Sequence, residues 1–108
     1  MTTNVKVRAL ITLLPPEEGG LSHQLPSRTR SLIVRGRHQE GHEVHSRPFP
    51  AAISTEDEQP LRPGDKDHIV SMLIHDDAAV DYLRPGEGFQ LWYGHEVGSG
   101  VVSRRLFV

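Results

Sequence analysis

Four arginines within ten residues are the side chains with the clearest chemical potential. They are Arg28, Arg30, Arg35 and Arg37. The planar guanidinium group donates paired hydrogen bonds to phosphate, which suits contacts with RNA or another anion. Alternation along a strand would place the first two on one face and the last two on the other, unless a bulge intervenes. The sequence therefore predicts two small basic patches, either a solvated rim or an anion contact.

Histidines and carboxylates offer a second kind of chemistry. His38, His42 and His45 could converge on zinc or nickel at a bent turn, although strand alternation points His42 and His45 to opposite faces. His75 beside two aspartates is raw material for acid–base catalysis, but sequence neighbours rarely act together without a third group. We interpret these groups, and the acidic run at residues 56–58, as solvated loops. No catalytic residue, metal or cofactor is expected.

Composition narrows the function classes. Cysteine is absent, which removes disulfides, thiolate nucleophiles and cysteine-ligated metals. Neither a phosphate-binding GxxxxGK[ST] loop nor a GxSxG elbow occurs, so this chain alone is not expected to bind GTP. A net charge of −2 argues against a generic nucleic-acid coat. Without a long apolar run or a signal peptide, we expect a cytoplasmic protein that does not span a membrane.

The elements that must position these residues are strands. Residues 5–14 alternate apolar and polar side chains, which is the pattern of a half-buried strand. Further strands are predicted at residues 30–35, 44–53, 68–74, 89–93 and 97–107, with turns at 36–41 and 63–65 and one helical turn within 78–83. Pro48 and Pro50 restrict the third strand to an edge or a bulge. The 108 residues therefore predict one all-β domain, residues 1–108, closed or nearly closed as a barrel.

The same alternation predicts what fills the barrel. The inward side chains are expected to be Val7, Ile11, Leu32 or Ile33, Val70, Met72 and Val101. Gly19 and Gly20 should allow a tight reversal. Gly98 and Gly100 should mark a bend, or a place where another backbone comes too close for a Cβ.

Six short motifs follow one another along the chain. They are the strand at residues 5–14, the tip Glu18-Gly19-Gly20, the arginine-led strand at residues 28–34, the turn Pro63-Gly64-Asp65, the strand ending Leu73-Ile74, and Val97-Gly98-Ser99-Gly100-Val101-Val102. In this order they resemble the C-terminal (third) β-barrel domain of translation elongation factor Tu. The resemblance covers roughly residues 5 to 105.

This resemblance implies a six-stranded antiparallel barrel without catalytic residues, here as a free-standing chain that lacks the family's GTPase domain. It also implies a surface that contacts transfer RNA. The corresponding positions are Arg28, Arg30, Gln39, Tyr93 and Gly94. The family's arginine is kept at Arg28, its glutamine is replaced at Arg30, and Gly94 keeps only the glycine of an acidic–glycine pair.

These observations predict a non-catalytic binding module for transfer RNA or a translation-related protein. The first alternative is a protein–protein interaction module with no RNA role, which should expose an apolar patch at Trp92 or Phe49. The second alternative is a metal-site protein that uses His38, His42 and His45. The third alternative is a fragment that keeps the fold but has lost its function. The sequence does not predict the partner or the oligomeric state.

Overall fold

Six strands form the framework of the protein in a computed structural model that describes residues 4–106. The strands are β1 (Val5–Leu13), β2 (Arg28–Glu40), β3 (Glu43–Thr55), β4 (His68–Ile74), β5 (Gly88–Trp92) and β6 (Glu96–Leu106), with a 3-10 turn at Pro16–Glu18 and a short helix α1 at Ala79–Tyr82. All neighbouring strands are antiparallel, and the sheet closes in the order β1-β4-β3-β2-β5-β6. The predicted six-stranded all-β barrel is confirmed. The predicted end of the last strand, Phe107, lies outside the described residues.

Alternating side chains fill the barrel, as the pattern in β1 predicted. The fully buried members include Val7, Ile11, Leu32, Val70 and Met72, each 0% exposed. Because every strand has a partner on both sides somewhere along its length, closure hides backbone groups that an open sheet would leave at its edges. The core therefore consists almost entirely of aliphatic side chains.

Val101 is the one predicted core residue that lies outside the barrel. It is 46% exposed, whereas its neighbour Val102 is 1% exposed. The reason is a bulge at the start of β6. Glu96 and Gly98 pair with two successive residues of β5, and Val97 between them has no partner on that strand. One extra residue reverses the inward and outward alternation of everything that follows it.

The predicted turn at residues 36–41 is wrong. β2 runs through it, and the chain reverses only at Gly41 and His42. Gly36 is needed for a different reason, because a Cβ there would lie 3.0 Å from the Cβ and 3.1 Å from the carbonyl oxygen of Tyr82. The glycine therefore lets α1 pack closely against the β2–β3 hairpin.

The prolines of β3 lie where the third strand has only one neighbour. Pro48 and Pro50 pair with β2, whereas β4 pairs only with Ala52–Thr55. Proline lacks a backbone donor, so this edge segment tolerates it, as predicted. The connection after β4 contains the predicted helical turn as α1. No helix among residues 4–106 is long and apolar enough to cross a membrane.

Candidate nucleic-acid interface

A bulge in β2 brings the four arginines to one face. Thr29 pairs with Ile53, and Leu32 pairs with Ala51. Between these two pairs β2 contains two residues and β3 contains only one. The extra residue changes the alternation between Arg30 and Leu32. Arg28, Arg30, Arg35 and Arg37 consequently all lie on the outer surface of the barrel, opposite in direction to buried residues such as Leu32. We call these four side chains the arginine face.

The arginine face carries no neutralising ion pairs within residues 4–106. The arginines that form ion pairs in this part of the chain are Arg8, Arg47 and Arg84. Arg28, Arg30 and Arg37 are exposed, and Arg35 is half-buried. The exposed guanidinium groups of Arg28, Arg30 and Arg37 keep their donors available to an anion.

Trp92 extends the arginine face onto β5. It pairs with Ile33, a residue directed outward, and the guanidinium carbon of Arg35 lies 5.6 Å from the centroid of the indole ring. A cation over an indole face is attracted by the ring's electrons, which fixes both groups. The indole N–H of Trp92 and the Nε–H of Arg35 are buried and have no hydrogen-bond acceptor among the described residues. Both N–H groups therefore lie beneath the surface of this stack and are not presented to solvent.

The turn after β5 lies at the Arg28–Arg30 end of the arginine face. Since β5 runs antiparallel to β2, the chain beyond Trp92 passes toward Arg30. Gly94 adopts a φ of +81°, which favours glycine, and the Nε2 of His95 donates to the carbonyl of Gly19 at 2.9 Å. The ring of Tyr93, however, packs against the core. Of the two rings, Trp92 and not Tyr93 shares the outward direction of the arginines.

Gln39 lies far from this end. It is nine residues beyond Arg30 on β2, a separation of about 30 Å along an extended strand. Its side-chain amide donates to the carbonyl of Gly41 at 3.3 Å, within its own hairpin. Gly94 thus lies toward the end of β2 that carries Arg28 and Arg30, whereas Gln39 lies at the opposite end.

A shallow groove of about 350 Å³ runs beside the first two arginines. It is lined by residues 27–30 of the β2 entry, residues 52–55 of β3, and the carboxylates of Glu56 and Glu58. The acidic wall reduces the positive potential of the groove. An anion bound in this groove should therefore lie next to Arg28 and Arg30 and away from the two carboxylates.

The histidines proposed as metal ligands do not assemble. No three His, Asp or Glu side chains within residues 4–106 are placed to hold a metal ion. His38 and His45 pair across the hairpin, and the ring of His38 lies 5.5 Å from that of Tyr82. Asp76 accepts hydrogen bonds from Arg47 and from the backbone of Ala78, so it ties β3 to α1.

The apolar patch expected for a protein-binding module is absent at Phe49. This ring is 0% exposed, with the Tyr82 ring packed edge-on at 5.4 Å and the Arg47 guanidinium 5.1 Å from its centroid. The expectation that Phe49 is a surface contact is wrong, because α1 covers it. Trp92 is half-buried under Arg35.

A histidine between two aspartates is the polar cluster that sequence reasoning missed. The Nε2 of His68 donates to Asp57 at 3.0 Å, and its Nδ1 donates to Asp65 at 3.1 Å. Both ring nitrogens can donate only when the ring is protonated. Asp57 lies in an exposed loop, as predicted for residues 56–58, but it also accepts this hydrogen bond from His68. We call these three residues the His68 cluster; it ties the loop after β3 to the start of β4.

The charges in the His68 cluster support each other. Burial of the ring disfavours its charge, but the hydrogen bonds to Asp57 and Asp65 outweigh burial and raise the pKa of His68. The hydrogen bond from His68, helped by the backbone N–H of Gln59, lowers the pKa of Asp57. The side chain of His68 is only 11% exposed, so solvent screens the cluster little on the histidine side.

The His68 cluster should make stability depend on pH. The folded protein holds the imidazole proton more tightly than the unfolded chain, so the contribution is complete below about pH 6.5 and is lost as pH rises through the raised pKa. Asp57 acts oppositely, because its lowered pKa gives a contribution that is lost only in strong acid. Thermal melts between about pH 6 and 9 should show His68→Gln losing less stability with rising pH than the native protein does.

His42→Gln is the matched control for this experiment. His42 is exposed at the hairpin turn, and its replacement should leave the pH dependence unchanged. A native protein whose midpoint shows the same pH dependence as His68→Gln would contradict a charged histidine in the cluster.

Comparison with models of known protein families found no match, and comparison with curated proteins found none either. The barrel is established by the structure itself. The resemblance to the third domain of elongation factor Tu stays a prediction.

Proposed function

We propose that this protein is a non-catalytic binding module that binds RNA through the arginine face, and that transfer RNA is the RNA to test first, as the resemblance predicts. The observation that carries the proposal is the bulge in β2, which aligns four arginines without carboxylate partners in the described chain. Arginines presented along one strand match the repeated phosphates of a nucleic-acid backbone.

Two further features support RNA over a small anion. The Arg35 guanidinium, which lies over the Trp92 ring, offers a flat group beside the phosphate contacts, and unpaired bases stack on guanidinium planes. Gly94 has no side chain to obstruct a backbone approaching the Arg28–Arg30 end.

Binding should be weak and sensitive to salt. Only a few phosphates are neutralised, the chain has a net charge of −2, and Glu56 and Glu58 line the nearby groove. We therefore expect dissociation constants between about 10⁻⁴ and 10⁻⁶ M near physiological salt. Fluorescence anisotropy of labelled transfer RNA at about 50 and 200 mM salt measures both the affinity and its salt dependence.

Arg28→Ala, Arg30→Ala is the decisive variant. Loss of two phosphate contacts should flatten the slope of log K against log[salt] by about 1.5–2. Arg62→Ala, Lys66→Ala removes the same charge from the loop before β4 and should leave the slope nearly unchanged. Equal slopes for the two double variants would show that net charge alone governs binding, and the proposal would fail.

A further inference from the structure

An apolar row crosses the outer surface of the barrel on the side away from the arginine face. Leu10 on β1 pairs with Ile69 on β4 and with Val101 on β6, so the three side chains lie side by side and point outward. Ile69 is 44% exposed and Val101 46% exposed, which makes them two of the three large apolar side chains most exposed within residues 4–106. We call this row the β1 face.

The two flanks of the β1 face carry opposite charges. On the β4 side, Glu56 is held by a bidentate ion pair with Arg8, at 2.8 Å for both hydrogen bonds. On the β6 side, Arg104 pairs with Arg8 in the ladder and has no carboxylate partner among the described residues. Two arginines directly opposite each other on neighbouring strands repel. A carboxylate from a second molecule could therefore neutralise Arg104.

This arrangement is self-complementary. A two-fold axis that lies in the interface and runs along β1 exchanges the left and right flanks of the surface. Ile69 then meets Val101 of the second copy, and Leu10 meets Leu10 of the second copy. At the next outward level the two Arg8 side chains face each other across the axis, each neutralised by Glu56 of its own chain, and Arg104 meets Glu56 of the second copy. Apolar contact is thus surrounded by two equivalent ion pairs.

We propose that the β1 face binds a second copy of this chain as a two-fold dimer. β1 and β2 are separated by two strands in both directions around the barrel, so the dimer does not cover β2 itself, and Glu56 is the residue that the dimer shares with the groove beside Arg28 and Arg30. The proposal does not rest on RNA binding. Three apolar side chains make a small centre, so the dimer should be weak, with a dissociation constant of about 10⁻⁴ M.

Charge exchange tests the pairing directly. Sedimentation equilibrium of the native protein from about 10 µM to 1 mM should show reversible dimerisation. Arg104→Glu and Glu56→Lys should each weaken it at least about tenfold, because each homodimer then contains two repulsive pairs. An equimolar mixture of the two variants should recover association, since the mixed dimer restores both pairs as opposite charges.

Substitutions of apolar residues test the dimer interface independently of the ion pairs. Val101→Lys should abolish dimerisation, whereas Val44→Lys, which changes a 63% exposed residue on the distant hairpin, should not affect it. A native protein that stays monomeric at 1 mM would overturn the proposal and leave the row to a different protein. Dimers that persist in Val101→Lys, or variants that stay apart when mixed, would place the interface elsewhere and also overturn it.

Discussion

Replacement of Gly98 by valine is expected to lower the free energy of unfolding by about 3 kcal/mol, which corresponds to a fall of ~15 °C in the melting temperature. Gly98 faces inward, where β6 pairs with Leu13 of β1. A Cβ there would collide with the carbonyl oxygen of Thr12 and lie 3.1 Å from the Cα of Leu13. Because backbone atoms cannot yield as a flexible side chain does, the strands must separate.

Ser99→Val is the matched control for Gly98→Val. Ser99 is the next residue, is exposed, and lies in the same pairing with β1. Valine suits a strand and points outward at this position, so stability should change by less than about 0.5 kcal/mol. Urea unfolding of both variants measures the difference. Equal midpoints for the two variants would contradict the close approach of β1 and β6.

Phe49→Ala is expected to cost about 4 kcal/mol, the second large effect on stability. The ring is fully buried between β3 and α1, and its removal would leave Tyr82 and Arg47 without their main apolar contact. Phe49→Leu should cost only ~1 kcal/mol, because leucine fills most of the space, and it keeps the comparison measurable if the alanine variant does not fold.

The control for Phe49 lies on the same strand. Val44 is 63% exposed near the end of the hairpin, so Val44→Ala should change stability by less than about 0.5 kcal/mol. Chemical denaturation of all three variants provides the comparison. A Phe49→Ala protein as stable as Val44→Ala would show that α1 does not cover this ring.

Strand positions and the closed barrel could be predicted because they follow from local patterns. The alternation in β1 identifies its inward residues directly, and Pro48 and Pro50 identify an edge. Bulges could not be predicted, since they depend on which strands pair and in what register. Strand alternation alone therefore predicts that Val101 lies in the core, although the bulge at Val97 turns it outward.

The candidate site also contains features that the sequence predicts and features that depend on strand pairing. The arginines were visible as a cluster, but their common face depends on the bulge between Thr29 and Leu32, which only the pairing with β3 reveals. The His68 cluster joins residues eleven apart through a loop whose path the sequence does not specify. Only the three-residue spacing of Asp65 and His68 offered a local hint.

The central claim, that the arginine face binds RNA, is tested most directly by mapping the contact. Nuclear magnetic resonance spectra of ¹⁵N-labelled protein, titrated with transfer RNA at low salt, report on each backbone amide. We expect the amide signals of residues 28–37 of β2 and of the turn at residues 93–95 to shift, and those of residues 5–13 of β1 to stay unchanged. Changes centred on β1, or none at millimolar RNA, would contradict it.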